Sequence, residues 1–370
     1  MQKTCSVNAA SPSHFLFMPD IKQDTAQPVR VGEELNIPAL ETYLGLGSIT
    51  NVSQFPGGYS NLTYLITSGE RDYVLRRPPV GAKAIKGGHD MGREYRVLSL
   101  LRDAGYGKIP APVAYCDDES VLGCPFYVME RVPGAILRAQ SAPKLGLSAE
   151  TMQSLSTSLV DTLVALHALP VQPNLIQLGK PDGYVQRQVE GWHKRYLAAQ
   201  TDDVPAMNEL ARYLTEKLPP QSSDITLLHN DFKYDNVVLK PDDLTNDPIR
   251  AILDWEMCTV GDPLMDVGTS LSYWAEAGDD PFRKSFNLTW LPGNLTRREF
   301  ADRYADRSGR DLSNILYYYV FGLFKNAVVI QQIYGRYRQG LTKDERFAGL
   351  LAGVQALSTV GVKALETGHL

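Results

Sequence analysis

His229-Asn230-Asp231-Phe232-Lys233-Tyr234-Asp235-Asn236-Val237-Val238-Leu239, followed by Ile252-Leu253-Asp254-Trp255-Glu256, is the stretch on which the fold turns. Val237-Val238-Leu239 and Ala251-Ile252-Leu253 are short apolar runs of β type, and Pro241-Asp242-Asp243 between them is turn chemistry. The pattern predicts a hairpin with polar residues gathered at its ends, so that Asp231, Asn236 and Asp254 meet at one mouth. Phosphoryl transfer needs such a cluster: a carboxylate facing the attacking hydroxyl, and two oxygen ligands holding Mg²⁺ against nucleotide phosphates. The bland alternative, a solvated acidic turn, leaves the joint spacing of His229, Asp231, Lys233, Asn236 and Asp254 without a reason.

Around this stretch the chain runs to 370 residues, 44% hydrophobic and 21% charged, enough for two lobes about a cleft and too apolar for wholesale disorder. A net charge of −5 argues against an electrostatic grip on nucleic acid. Cys5, Cys116, Cys124 and Cys258 lie far apart with no C-x-x-C pair, so a reduced, cytoplasmic setting is the default expectation. The N-terminus lacks the apolar core of a signal peptide, and the apolar run 315–324 is too short to span a bilayer before Lys325 and Asn326 close it. The expectation is a soluble protein with no membrane partner.

Residues 1–30 mix Ser, Pro, Gln and Asp without a period and read as a poorly ordered tail. Residues 31–132 hold the strand signals. Gly57 and Gly58 sit at a hairpin tip, where the backbone can approach a phosphate, with Ser60 and Asn61 able to add hydrogen bonds; an ordinary Gly-Gly turn is the alternative. Tyr73-Val74-Leu75-Arg76-Arg77 is a strand ended by Pro78-Pro79, and alternation lets only one of the two arginines face a cleft. Tyr95, Leu98 and Leu101 mark a helix over residues 92–101, with Glu94 one place off its apolar face and in reach of Arg76. Pro125-Phe126-Tyr127-Val128-Met129-Glu130 is an apolar strand running into the turn Arg131-Val132-Pro133-Gly134, as a hinge between lobes requires. Residues 133–370 turn helical: Leu155, Leu159, Leu163 and Leu166 recur at helical spacing, Tyr184, Gln188, Trp192 and Tyr196 suggest a second helix, and 316–338 a third closed by Gly340.

The string H-N-D-F-K-Y-D-N and the later D-W-E resemble the catalytic motifs of the aminoglycoside phosphotransferase and choline kinase family of small-molecule kinases. His89-Asp90-Met91-Gly92-Arg93-Glu94-Tyr95-Arg96 resembles a subgroup found alone or joined to acyl-CoA dehydrogenase modules. The resemblance covers the chain from about Phe55 to Gly340. It implies an α+β, bilobal protein-kinase-like fold, with a small antiparallel-sheet N-lobe and a larger, mainly helical C-lobe.

It also implies roles. Asp231 would be the base at a substrate hydroxyl and Lys233 the cation on the transferring phosphoryl group, while Asn236 and Asp254 would hold Mg²⁺. Gly57, Gly58, Ser60 and Asn61 would cover the ATP phosphates; Arg76, favoured over Arg77 by the family's V-L-R, would hold them with Glu94 as its partner. Glu130 and Val132 would meet the adenine edge through their main chains, and His229 and Asp266 would brace the catalytic loop. Asp262 would position substrate or cap a turn, and His167 reads as a packed core residue. Trp255-Glu256 in place of Phe-Gly argues against a mobile activation switch. The acceptor stays open among aminoglycosides, amino alcohols, homoserine-like compounds and hydroxyacyl thioesters, with the subgroup tilting toward a hydroxyacyl-CoA. Two other readings compete: a silent nucleotide-binding sensor, which would be expected to lack an Asp or Asn of the cluster, and a metal-dependent phosphoesterase, which would want more histidines than His229.

Overall fold

The computed structural model describes residues 25–56, 61–79, 90–342 and 344–370. Five strands form the first sheet: β1 (Ile49–Gln54), β2 (Leu62–Ser68), β3 (Arg71–Arg77), β4 (Pro112–Cys116) and β5 (Phe126–Glu130). Their spatial order is β1-β2-β3-β5-β4, with every neighbouring pair antiparallel. Strand alternation sends Tyr64, Ile66, Leu75 and Val128 to one face, where Leu40 of α1 (Ile37–Leu44) closes a core. Val74, Tyr127 and Met129 go to the other face, against Val97, Leu98 and Leu101 of α2 (Met91–Asp103). That second core runs on without a break into the helical part of the chain. Residues 25–30, assigned by the sequence to the tail, lie against β1: Gln27 and Gln54 exchange main-chain hydrogen bonds of 2.8 and 2.7 Å.

After a single-turn helix α3 (Glu119–Leu122) and β5, the chain crosses at 131–134. Gly134 is required there, because a Cβ would stand 2.4 Å from the Leu239 carbonyl oxygen. The next residue, Ala135, exchanges main-chain hydrogen bonds with Leu239 and so ties the crossing to the predicted hairpin at 237–252.

The helical part contains α4 (Ala149–His167), α5 (Tyr184–Ala199), α6 (Pro205–Glu216), α7 (Pro263–Tyr273), α8 (Pro281–Phe286), α9 (Arg297–Ser308), α10 (Ile315–Arg338) and α11 (Leu350–Thr367). Helix α10 is the axis of this part, buried along most of its length. It approaches α7 closely because both carry glycine at the crossing: a Cβ on Gly268 would lie 2.2 Å from Tyr318 O, and one on Gly322 would lie 2.5 Å from Gly268 O. Among the described residues, Glu345–Thr367 is long and apolar enough to cross a bilayer, a property the sequence reading overlooked. Its small-residue face is packed, with Gly361 set against Leu210 of α6.

Two small antiparallel ladders interrupt the helices. The predicted hairpin is one: β7 (Val237–Leu239) pairs with β8 (Ile249–Ile252), and the Leu253 N–H extends it to Asn236 O at 2.8 Å. The other, β6 (Thr226–Leu228) with β9 (Thr259–Gly261), carries no sequence signal of its own beyond short apolar runs. The result is the α+β, bilobal kinase-like architecture expected from the motifs.

Candidate active site

Residues 229–236 form a loop between β6 and β7 that is held mainly by side chains. Asp266, fully buried on α7, accepts from the His229 N–H (2.6 Å) and the Asn230 N–H (2.9 Å). His167, at the end of α4, lies 3.2 Å from the same carboxylate through Nε2 and 2.7 Å from the Tyr304 hydroxyl through Nδ1. Burial pushes the Asp266 carboxyl up, but His167, His229 and the backbone N–H outweigh it and hold the group below the usual carboxylate range. The His229 ring is a brace, as its motif position implies. Its Nε2–H donates to Leu253 O (2.9 Å) and its Nδ1 accepts the Asp231 N–H (3.2 Å). Trp255 packs edge-on against it, with ring centroids 4.8 Å apart. Asp262 caps α7 through the Leu264 N–H and accepts from the Tyr318 hydroxyl.

These braces hold Asn230 at φ 63, a left-handed conformation uncommon for a residue with a side chain. A further brace comes from Lys325 in the middle of α10, which is buried and donates to Asn230 O at 2.6 Å. The sequence reading missed this role. Its only signal was a lysine where the helical run is otherwise apolar.

The loop presents Asp231 beside Lys233 and Asn236. Lys233 Nζ stands 2.8 Å from both carboxylate oxygens, and Asn236 Nδ2 donates to Asp231 Oδ2 at 2.8 Å. The ammonium also lies 4.5 Å over the Tyr273 ring. Burial raises the Asp231 carboxyl, yet Lys233 and Lys325 together bring it below its ordinary value, so it is ionised at neutral pH. Burial works against the Lys233 charge, but Asp231 and the Tyr273 hydroxyl reverse the shift and push its pKa up.

Facing Asn236 is a cavity of about 190 Å³ between the first sheet and the β7–β8 hairpin. Val74, Met129, Ile136, Val238 and Leu253 give it an apolar slot; Arg76, Glu94, Asp235, Asn236 and Asp254 line its polar end. Glu130 and Val132 lie on its hinge wall, with the Glu130 side chain exposed. The Glu130 N–H is taken by Ala111 O (2.8 Å), which leaves its carbonyl as the main-chain group available to a ligand.

The choice between the two arginines is decided by the sheet. Arg76 points to the cavity, makes a short ion pair with Glu94, and donates to Asp254 Oδ1 through both terminal nitrogens at 3.2 and 3.3 Å. Arg77 is buried on the opposite face, near Glu33 and Tyr64. Burial opposes the Arg76 charge, but Glu94, Tyr127 and Asp254 surround it and its pKa rises well above the usual value. Glu94 shares that one cation with Asp254, so for Glu94 burial wins and its pKa reaches about 7. Glu256 is likewise raised to about 8 by burial and by Asp254. Carboxylates thus crowd the cavity's polar end around one guanidinium.

Of the residues expected at the phosphates, Gly57, Gly58 and Ser60 lie outside the described residues, and Asn61 is buried immediately before β2. The sequence reading passed over Asp235, which lines the cavity with its carboxyl raised by burial against the opposing charge of Arg138.

A cleft under a five-stranded sheet, lined at its polar end by Asn236 and Asp254 and flanked by the loop that carries Asp231 and Lys233, is the arrangement of a kinase-like phosphotransferase. The family model of the phosphotransferase enzyme family matches residues 51–301, and the chain belongs to that family. It is 34% identical over 357 residues to acyl-CoA dehydrogenase family member 11 of Rattus norvegicus, covering 93% of this chain and 45% of the rat protein. The chain therefore spans less than half of that relative. A putative aminoglycoside phosphotransferase from Ralstonia eutropha superposes with TM-score 0.76 and 28% identity, over 90% of this chain and 99% of that one. The aminoglycoside phosphotransferase APH(2")-IIIa, in a complex with GDP and kanamycin, shares the fold at TM-score 0.62 and 17% identity, over 88% and 97% of the two chains.

Proposed function

We propose that this protein transfers the γ-phosphoryl group of ATP to a hydroxyl of a small molecule. The observation that carries the reading is the Asp231 carboxylate, held by Lys233 and by Asn236, which itself lines the same cavity as Arg76. The apolar slot would take an adenine, with the Glu130 carbonyl and the Val132 main chain on the cavity wall. Arg76, fixed by Glu94, has the forked geometry to hold two phosphate oxygens. Asp231 orients the acceptor hydroxyl and takes its proton; a low pKa suits a loose transition state in which that proton leaves late. Lys233 neutralises charge on the phosphoryl group in flight.

The donor set fits Mg²⁺. Asn236 is tied through Nδ2 to Asp231, which leaves its amide oxygen for a metal, and Asp254 adds a hard carboxylate oxygen. With two protein ligands, phosphate oxygens and water would complete the shell of such an ion. The crowded, raised carboxyls of Glu94 and Glu256 are what a cation would relieve. When bound, Mg²⁺ neutralises phosphate charge that builds up during transfer.

A hydroxyacyl thioester stands as an acceptor beside aminoglycosides and amino alcohols, and the choice among them is for the assay to make. ADP release with Mg²⁺-ATP over a panel of hydroxyacyl-CoAs, amino alcohols and aminoglycosides tests the reading. Acceptor-dependent turnover should fall by roughly 10²–10⁴ in Asp231→Asn. Undiminished turnover in that variant, or no ATP binding by the wild type, would sink the proposal.

A further inference from the structure

A second cavity, also of about 190 Å³, lies beside the catalytic loop and shares no lining residue with the nucleotide cavity. Its wall includes Asn230, the neighbour of Asp231, together with Arg93 from α2, Tyr184, Trp192 and Arg195 from α5, and Lys325 from α10. Among the described residues three cations line it and no Asp or Glu does. That is the reverse of the chain as a whole, where 42 acidic residues outnumber 37 basic ones.

No ion pair to a carboxylate is made by Arg93 or Arg195 among the described residues, and Lys325 feels Asp231 and Asp266 only at a distance. Arg93 donates to two neutral acceptors, Cys258 O at 2.6 Å and Leu178 O at 3.3 Å. The Arg195 guanidinium lies 4.5 Å over the buried Trp192 ring, and the Lys325 ammonium lies 5.8 Å from the same ring. Lys325 makes one hydrogen bond, to Asn230 O, and its ammonium has three donors. Burial, with Lys233 and Arg195 as like charges, holds its pKa down at about 8 against the pull of Asp231 and Asp266. Of the three cations Lys325 is buried, Arg93 half-buried and Arg195 exposed; a buried ammonium is costly unless an anion completes its shell.

On the kinase reading above, we infer that this cavity seats an anionic group of the phosphoryl acceptor, a phosphate or a carboxylate, one residue away from the catalytic Asp231. The acceptor is then a hydroxyl compound with a negative charge, and a polycation such as kanamycin is disfavoured by three like charges. Arg195 is exposed on α5, so Arg195→Gln removes one cation with little risk to folding, and a melting curve checks that.

The test titrates inorganic phosphate, and separately acetate, into protein saturated with AMP-PNP, so that the nucleotide cavity is filled. Wild type should bind at least one anion, and Arg195→Gln should bind it about tenfold more weakly, as expected for one charge-assisted hydrogen bond. Preference for phosphate assigns a phosphoester acceptor, and preference for acetate a carboxylate; both support the inference. No anion binding by the AMP-PNP complex, or equal binding by wild type and variant, overturns it. Turnover of kanamycin in preference to hydroxycarboxylates and phosphoesters also overturns it. Failure of AMP-PNP itself to bind overturns the kinase reading instead, and the anion titration then judges the cavity alone.

Discussion

Asp266→Asn separates the brace from the chemistry, because Asp266 lines neither cavity. The carboxylate uses Oδ2 for the His229 N–H and His167, and Oδ1 for the Asn230 N–H. An amide keeps one oxygen, so whichever way it sits its NH₂ faces a main-chain N–H. A hydrogen bond to a buried charge contributes roughly 1.5–3 kcal/mol, and an orphaned buried donor costs a comparable amount, so the change should destabilise by about 3 kcal/mol. The left-handed Asn230 itself costs roughly 1–3 kcal/mol and persists only while its N–H and carbonyl are held by Asp266 and Lys325. With one holder weakened the loop relaxes, and a displacement of Asp231 near 1 Å lowers turnover by about 10²-fold. Urea unfolding and ADP release at neutral pH, with ATP binding measured alongside, check both numbers; ATP affinity should change little. The sign with pH follows from the depressed Asp266 carboxyl. Its contribution is complete above the unfolded value, about 3.9, and is lost as pH falls through the lower folded value, so the gap between wild type and variant closes only in strong acid. A variant as stable and as active as wild type at neutral pH would refute the account of the loop.

Gly268→Ala tests the α7–α10 crossing: a Cβ 2.2 Å from a main-chain oxygen cannot be absorbed by a rotamer, so about 3 kcal/mol of stability should be lost in urea unfolding. A midpoint unchanged from wild type would mean the helices have room to part. Lys325→Met tests the buried ammonium. Its folded pKa, about 8, lies below the unfolded lysine value of about 10.4, so the unfolded chain holds more protons between them and wild type gains stability as pH rises through that window. The gain, about 3 kcal/mol at most, should be missing in the variant; equal gains in both proteins, measured in guanidinium at pH 7 and 10.5, would contradict it.

What the sequence by itself determined was local. The β7–β8 hairpin, the α2 helix and the spacing of Asp231, Lys233, Asn236 and Asp254 were legible because period, turn chemistry and motif all act within a few tens of residues. The expected Arg76–Glu94 pair was a geometric guess between a strand and a helix, and the two elements do meet through the inner face of the sheet. The β6–β9 ladder and the packed face of α11 gave no such signal, since their strands are three residues long or their pattern is small residues rather than polar ones. Only the tertiary structure decided which arginine enters the cleft, because the two differ in nothing but the side of the sheet that packs on α2. Only it brought Lys325 to Asn230 across 95 residues of sequence and set Arg93, Arg195 and Lys325 around one cavity, because three helices distant in the chain supply them and charge carries no record of its partners until the backbone has folded.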